Sequence, residues 1–297
     1  MKRVLNFGSI NVDHVYTVEH FVRPGETLSC QKYRQFAGGK GLNQSIALAQ
    51  AGACVYHAGK VGAADIWLKT LMEDKGVDTR FVETIKGPSG HAIIQVTSTG
   101  ENAIVIVGGA NQLMSESDVQ RILADFGPDD YVLVQNEVNA VPEIIRSAKA
   151  KGLTIVFNPA PMNQLVLNYP LELVDILVVN EIEAHSLTGE SEPEIIYETF
   201  IHRYPDTALV LTMGHKGAVY FSSQVQLHQP AEKVHAVDST GAGDAFIGFF
   251  LAEFIKTNDP KMAIACATRA AALCVTRPGA ADSIPNRKDL KITQHPI

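Results

Sequence analysis

The stretch Val237-Asp238-Ser239-Thr240-Gly241-Ala242-Gly243-Asp244-Ala245-Phe246 places two glycines directly before a carboxylate. The apolar run Ala245–Phe254 that follows predicts a helix beginning at the glycines. The first N–H groups of a helix are free and partially positive, so they suit a phosphate or another anion. Asp244 would stand beside that anion as a base, which favours phosphoryl transfer to an alcohol. The alternative is an Asp that merely offsets the helix dipole, and this segment alone leaves both open.

Composition narrows the class of protein. The 297 residues are 46% hydrophobic and 19% charged, as in a globular protein with a substantial core. The net charge of −7 argues against nucleic acid or an anionic membrane as a partner. No run approaches the roughly 18 apolar residues that a membrane span needs. The N-terminal run is interrupted at Gly8, which is typical of a first strand rather than a signal peptide.

The cysteines indicate the compartment. None lies in a C-x-x-C pair, so a zinc site is not expected. We predict reduced, mostly buried thiols in a cytoplasmic protein, at Cys30, Cys54, Cys266 and Cys274.

Apolar strand-like runs alternate with amphipathic stretches along the chain. The predicted core strands are Val4–Gly8, Val55–Ala58, Tyr131–Gln135, Thr154–Asn158, Ile176–Asn180 and Ala208–Thr212. The predicted helices lie near Lys40–Ala51, Trp67–Lys75, Ser117–Asp125, Val141–Ala150, Pro193–Tyr204, Ala242–Ile255 and Lys261–Val275. This alternation predicts a three-layer α/β/α fold with a mainly parallel central sheet. Ligands of such sheets collect at the carboxyl ends of the strands.

Four further runs break this rhythm. They are His14–Glu19, Leu28–Phe36, His91–Thr97 and Ala103–Val107, and a turn at residues 98–102 joins the last two as a hairpin. We predict a small separate sheet drawn from about residues 14–36 and 91–107, within one domain spanning residues 1–297. Such a sheet can close over a ligand as a lid. An edge extension of the main sheet is the alternative.

Two more elements lie near predicted strand ends. The segment Ala37-Gly38-Gly39-Lys40-Gly41-Leu42-Asn43-Gln44 lets a backbone turn tightly around a small ligand, and its polar groups suit a sugar. A simple strand-to-helix turn is equally compatible. Asn11 and Asp13 are two residues apart, so an extended chain points both to one side, where they suit paired sugar hydroxyls. Their alternative role is turn formation.

Familiar nucleotide and metal signatures are missing from the sequence. It contains no G-x-x-x-x-G-K-[ST], no G-x-G-x-x-G after the first strand, no H-E-x-x-H and no G-x-S-x-G. The lack of these motifs argues against a P-loop protein and makes a dinucleotide-binding oxidoreductase a weaker interpretation.

Together and in this order, the three elements resemble the PfkB carbohydrate kinases, also called the ribokinase family. Further landmarks run through the chain at residues 24–27, 100–102, 158–161, 180–184, 213–217 and 276–280. The resemblance implies an ATP-dependent kinase that phosphorylates a primary hydroxyl of a sugar, with D-ribose as the first expectation. It also implies ATP with Mg²⁺, K⁺ as an activating cation, and a homodimer formed through the lid sheets. Related kinases of deoxyribose, fructose, another ketose or a nucleoside are the alternatives, and a non-catalytic sugar or nucleotide sensor is a distant one.

The resemblance also implies roles for individual residues. Asp244 would be the catalytic base, expected to be ionised at a helix N-terminus, and Gly241, Ala242 and Gly243 would form the anion hole. The sugar would be bound by Asn11, Asp13, Gly39, Lys40, Asn43 and Glu137. Asn180 and Glu183 would organise Mg²⁺ and phosphates, and Thr212 and Gly214 would contact the nucleotide. The cation ligands would be Asp238, Thr240, Cys274, Arg277, Gly279 and Ser283.

Three positions leave other interpretations open. Residues 180–183 also fit a helix N-cap followed by acidic first-turn residues. Ser239 stands where the family often has Thr, a change that keeps the hydroxyl. Leu42 stands where a small residue is expected, so it either reshapes the sugar pocket or fills the core.

Overall fold

The computed structural model describes residues 2–290, which form a large and a small sheet. The strands are β1 Arg3–Phe7, β2 Asn11–Thr17, β3 Lys32–Gly38, β4 Cys54–Gly62, β5 Asp78–Ile85, β6 Gly90–Val96, β7 Asn102–Val107, β8 Tyr131–Gln135, β9 Thr154–Asn158, β10 Ile176–Asn180, β11 Ala208–Thr212, β12 Ala218–Phe221 and β13 Gln226–Gln229. The large sheet has the order β13-β12-β11-β10-β9-β8-β1-β4-β5. Its strands from β11 to β5 are parallel, and β12 and β13 add an antiparallel edge.

The helices cover both faces of the large sheet. They are α1 Lys40–Gln50, α2 Trp67–Asp74, α3 Glu116–Leu123, α4 Val141–Ala150, α5 Glu181–Thr188, α6 Pro193–Arg203, α7 Ala242–Thr257 and α8 Pro260–Cys274. One apolar core lies between the sheet and α1, α2, α7 and α8, and a second lies between the opposite face and α3 to α6. The α/β/α prediction is therefore confirmed. No helix within residues 2–290 is long and apolar enough to cross a membrane.

The small sheet is separate from the large one and has the order β3-β2-β6-β7. Its strands come from two distant regions of the sequence, β2 and β3 from residues 11–38 and β6 and β7 from residues 90–107. The two regions are joined because β2 pairs with β3 on one side and with β6 on the other. The expected strand from Leu28 is wrong over its first residues, since β3 begins at Lys32. The strand expected from His14 begins at Asn11, so β2 includes both Asn11 and Asp13. Three strands, β5, β12 and β13, were not predicted; in β5 and β13 the apolar residues are few or alternate with exposed ones, whereas β12 is a fully buried apolar run of four residues.

Burial corrects the expectation about the thiols and decides the role of one departure from the family pattern. Only Cys274 is buried, whereas Cys30 is exposed and Cys54 and Cys266 are half-buried. Cys266 packs against the core while half-buried, whereas Cys30 and Cys54 are not core residues. Leu42 is fully buried in the core beneath α1 and α7, so it fills the core instead of shaping a pocket.

Candidate active site

A cavity of about 220 Å³ lies at the carboxyl edge of the large sheet. The last residues of β9, β10 and β11 (Asn158, Asn180 and Thr212) line it from below, as expected where parallel strands end. The N-terminal ends of α1 and α7 face it from one side, and α5 contributes Glu183. The cavity therefore joins residues that are more than two hundred positions apart in the sequence, from Lys40 to Asp244.

Asp244 occupies the first turn of α7 and lines this cavity. The helix is capped by Gly241 with a left-handed φ of 77°, and no side chain caps its first amides. Burial raises the pKa of the Asp244 carboxyl, and Lys40, Gln44 and Asn43 oppose that rise. Removal from water therefore acts against the ionised form that a helix N-terminus favours, while Lys40, Gln44 and Asn43 act in favour of it.

Two amides from α1 hold the Asp244 carboxylate. Asn43 Nδ2 donates to Oδ2 and Gln44 Nε2 donates to Oδ1, each at 2.9 Å. This reach requires α1 and α7 to approach closely. A Cβ on Gly248 would lie 2.3 Å from the Cβ of Ala47, so glycine is needed where the helices cross. Gly248 is one turn beyond Asp244 on α7, and the crossing thereby sets the position of the carboxylate.

Lys40 is the cationic centre of the site. It begins α1 and is surrounded by four carboxylates, those of Asp244, Glu137, Glu183 and Asp13. Burial alone would lower the pKa of Lys40, but the four carboxylates raise it overall. The ammonium therefore stays charged and lies between the cavity and the residues expected to bind sugar.

Those residues form a second cluster beside the cavity, between β2 and the loop after β8. Glu137 Oε2 accepts hydrogen bonds from Ser9 Oγ at 2.5 Å and from the Lys40 amide at 2.9 Å. Asn11 Oδ1 accepts from Asn111 Nδ2 at 2.7 Å, which leaves the Asn11 amide hydrogens free to donate. The cluster brings together the predicted Asn11, Asp13, Gly39, Lys40, Asn43 and Glu137.

Asp13 is the unpaired member of this cluster. No group within residues 2–290 donates a hydrogen bond to its carboxylate, which lies against Gly38 where a Cβ would be 2.2 Å from Oδ2. Burial and the nearby Glu137 raise the pKa of Asp13 to about 6, although Lys40 acts to lower it. A partly buried carboxylate without a donor is suited to accept hydrogen bonds from ligand hydroxyls.

Asn180 and Glu183 form a helix cap and also line the cavity. Asn180 caps α5 by accepting from the Glu183 amide at 2.8 Å, and Glu183 Oε2 accepts from the Asn180 amide at 3.0 Å. The same Glu183 is buried and lines the cavity, where burial raises its pKa. Thr212 also lines the cavity, whereas Gly214 lies in the following turn and is not among the lining residues.

The residues expected to hold a monovalent cation are linked by hydrogen bonds. Asp238 accepts from the Thr240 amide through Oδ1 and from the Gly279 amide through Oδ2, both at 2.9 Å. Cys274 Sγ lies 3.0 Å from Ser283 Oγ, so the end of α8 joins the same loops. The Arg277 side chain instead points to Asp289 at 3.1 Å. Among residues 2–290 no three His, Cys, Asp or Glu side chains converge as a conventional metal site.

Comparison with known proteins agrees with this geometry. The profile of the pfkB family carbohydrate kinases matches residues 1–287. The chain belongs to the pfkB family of carbohydrate kinases. A ribokinase from Haemophilus influenzae is 35% identical over 306 residues, covering 99% of this chain and 100% of that protein. A deoxyribokinase from Salmonella typhi is 34% identical over 295 residues, covering 94% of each. The structure of Arabidopsis thaliana ribokinase complexed with ribose and ATP has a TM-score of 0.85 and 29% identity, covering 97% of this chain and 96% of that one.

Sequence reasoning missed several residues of this pfkB kinase site. They are polar and buried, and they hydrogen-bond to predicted residues or to one another: Ser9, Gln44, Asn111, Gln135 and Asn158. A signal was present for Gln44, because the polar run 43–45 interrupts an otherwise apolar helix. Asn111 had none, since it belongs to a short turn far away in the sequence.

Proposed function

We propose that this pfkB kinase transfers the γ-phosphoryl group of ATP to the primary hydroxyl of D-ribose, forming ribose 5-phosphate and ADP. The observation that carries the proposal is the buried Asp244 carboxylate, held by two amides in the first turn of α7. It lines a cavity that is also lined by Lys40 and by the uncapped N-terminal turn of α7. The names of the similar ribokinases support ribose as the acceptor.

In the proposed reaction the sugar hydroxyl oxygen attacks the γ-phosphorus, and its proton passes to an Asp244 oxygen. The bond between the γ-phosphorus and the bridging oxygen breaks, and ADP leaves. We assign the growing negative charge to the amides of Gly241, Ala242 and Gly243, because the left-handed Gly241 begins α7 and no side chain caps its first amides. The Ala242 amide now makes a long 3.3 Å contact with the Ser239 carbonyl, which a phosphoryl oxygen can replace.

We assign sugar binding to the cluster around Asp13. Its unpaired carboxylate accepts hydroxyl hydrogens, and the Asn11 amide donates. Glu137 keeps Oε1 available, because its other oxygen is already engaged by Ser9 and Lys40. Gly39 and Asn43 complete the wall, and Thr212 and Gly214 are assigned to the nucleotide.

Two cations fit the residues present. Mg²⁺ usually retains waters and uses few carboxylates, which suits Glu183 and Asn180 at a cavity with room for water. When bound, Mg²⁺ supplies positive charge that offsets the phosphates. K⁺ suits oxygen ligands from the loops that Asp238 links, where Gly241 approaches the Ala280 carbonyl so closely that a Cβ would lie 3.1 Å from it. We assign K⁺ to Asp238, Thr240, Cys274, Arg277, Gly279 and Ser283, mainly through main-chain oxygens.

We further propose that residues 1–297 act as one kinase unit whose small sheet is the lid. The sheet carries apolar side chains that are 40 to 61% exposed, at Ile93, Ile104, Val105 and Ile106. Exposed apolar strands invite pairing with a second copy, which supports a homodimer through the lids. The exposed free thiol of Cys30 supports the reducing cytoplasm as the compartment.

An ADP-release assay tests the function. Purified protein is given Mg·ATP with ribose, deoxyribose, fructose or adenosine, with and without K⁺. We expect ribose to give the highest kcat/KM and Asp244→Asn to lower kcat by about 10²- to 10⁴-fold. Asp129→Asn, an exposed loop change, is the matched control. Ribose binding without ADP release would indicate a sensor, and unimpaired Asp244→Asn would refute the assigned base.

Deoxyribose is the second candidate acceptor, favoured by the similarity to the Salmonella typhi deoxyribokinase. A kcat/KM for deoxyribose above that for ribose would replace the first candidate.

A further inference from the structure

A chain of buried polar side chains leads from Asp244 into the interior of the large sheet. Gln44 Nε2 donates to Asp244 Oδ1 at 2.9 Å and to Asn158 Oδ1 at 3.2 Å. Gln44 Oε1 accepts from Gln135 Nε2 at 2.7 Å, and Gln135 Nε2 also donates to Asn6 Oδ1 at 2.9 Å. The side chains of Asn6, Gln44 and Gln135 have no solvent exposure.

The chain continues to the next strand. Asn6 Nδ2 donates to Ser45 Oγ and to the Gly41 carbonyl, both at 2.8 Å. Ser45 Oγ lies 2.8 Å from His57 Nδ1, and His57 Nε2 lies 3.1 Å from the Gly8 carbonyl. Burial lowers the pKa of His57 to about 4, so the ring is neutral at pH 7. Its Nε2 then carries the hydrogen, and Nδ1 accepts from Ser45.

The carboxylate and this histidine fix the direction of every bond between them. Asp244 can only accept, so Gln44 must turn its NH₂ group toward it and its oxygen toward Gln135. Gln135 must in turn direct its NH₂ group at Gln44 and Asn6. Its own oxygen is left buried without a partner. An unpaired buried oxygen is unfavourable, so the direction of these hydrogen bonds is maintained although it leaves Gln135 Oε1 without a partner.

Resting on the proposed function, we propose that Gln44, held by Gln135 and the chain behind it, is a positioning residue that fixes the Asp244 carboxylate for proton acceptance. Gln44 cannot rotate without breaking three hydrogen bonds. The same chain ends on the carbonyls of Gly8 and Gly41, whose backbones touch. Gly8 precedes the segment with Asn11, and Gly41 follows Lys40. The chain therefore sets the base relative to the residues assigned to the sugar.

The pH dependence of kcat reports this role. The titratable groups that face Asp244 are Lys40 from α1, Glu183 from α5 and Cys274 from α8. The Gln44 hydrogen bond lowers the pKa of Asp244. Losing that bond should move the acid limb of the kcat profile to higher pH. The other facing groups are left in place by a change at Gln44.

The test compares Gln44→Met with Ile46→Val, a buried change in the same helix outside the chain. We expect Gln44→Met to lower kcat by about 10- to 100-fold, the size of one hydrogen bond to a charged group, with ribose KM within about threefold. Its acid limb should move to higher pH, while Ile46→Val changes only the urea midpoint. A Gln44→Met protein with the parent kcat and acid limb would overturn the inference.

Two further results keep the test decisive. If Gln44→Met does not fold, Gln44→Glu preserves its shape and places a second carboxyl beside Asp244. It should move the acid limb higher still, because like charges raise each other's pKa, and an unmoved limb would overturn the inference. Activity of Asp244→Asn equal to the parent would overturn the proposed function itself. Loss in Asp244→Asn together with an unaffected Gln44→Met would overturn only the positioning role.

Discussion

Replacing Asp13 by Asn should make the folded protein more stable and should weaken sugar binding. The pKa of Asp13 is raised from 3.8 to about 6, first by burial and then by Glu137. The folded state therefore binds this proton more tightly than the unfolded state does. The resulting cost to stability is present above pH 6 and disappears as the pH falls below 3.8.

The size of the effect follows from this shift. One pKa unit corresponds to about 1.4 kcal/mol, so ionised Asp13 costs the folded state about 3 kcal/mol at pH 8. At pH 5 the same linkage gives about 1.5 kcal/mol. The neutral amide removes the charge and keeps the shape, although it also lacks a partner. We therefore expect Asp13→Asn to raise the free energy of unfolding by about 1 to 3 kcal/mol at pH 8, and by less at pH 5.

The sugar should be bound more weakly, because a hydrogen bond to a charged group is worth about 1.5 to 3 kcal/mol. This corresponds to a rise of about 10- to 100-fold in the KM for ribose. The assays are urea unfolding at both pH values and ADP release against ribose concentration. Asp129→Asn, exposed in a turn, is the control and should change stability by under about 0.5 kcal/mol. A stability gain that is absent, or equal at both pH values, would refute the reasoning.

Two other predictions concern packing. Gly248→Ala should lower the free energy of unfolding by about 1 to 3 kcal/mol and lower kcat, because the new methyl would force α7 away from α1. Gly127→Ala, whose Cβ would meet no atom within 4 Å, is the control. An unchanged urea midpoint and kcat in Gly248→Ala would contradict the importance of this helix crossing. If the proposed dimer pairs through the lids, Val105→Asp on the small sheet should give the 32.2 kDa monomer in sedimentation, while Met262→Asp on α8 should sediment like the parent. A Val105→Asp protein that sediments as a dimer would argue against pairing through the lids.

The sequence was sufficient for the parts of the fold that local patterns encode. The parallel core strands have continuous apolar runs, and the helix at Ala242 begins where its glycines predict. The small sheet was also predicted, but its strand limits were not. In β3 only Gly38 is buried and the first four residues are exposed, so the apolar pattern does not mark where pairing with β2 begins. Antiparallel edge strands such as β13 were missed for the same reason.

The site was predictable as a set of contact residues and less so as an electrostatic environment. Glycine patterns pointed to Asp244 and Lys40, but no pattern shows that three of the surrounding carboxyls are removed from water. The rise in the pKa of Asp244 depends on burial, which requires α1 and α7 to be packed. Likewise the glutamine chain behind Asp244 joins β1, β8 and α1, and its spacing in the sequence, from Asn6 to Gln135, has no local signature.

The charge of the site connects these observations to the proposed cations. Four carboxylates surround the single ammonium of Lys40, a formal excess of three negative charges when all are ionised. Adding the phosphates of ATP to such a site is unfavourable unless positive charge enters with them, since charge repulsion is strong where water is excluded. The raised pKa values of Asp13, Glu183 and Asp244 record the cost of their burial, and Glu137 and Asp244 add repulsion at Asp13 and Glu183 respectively. Cations at Glu183 and beside the Asp238 loop would relieve it where the phosphates are expected. This electrostatic requirement supports the proposal that Mg²⁺ enters the site together with ATP.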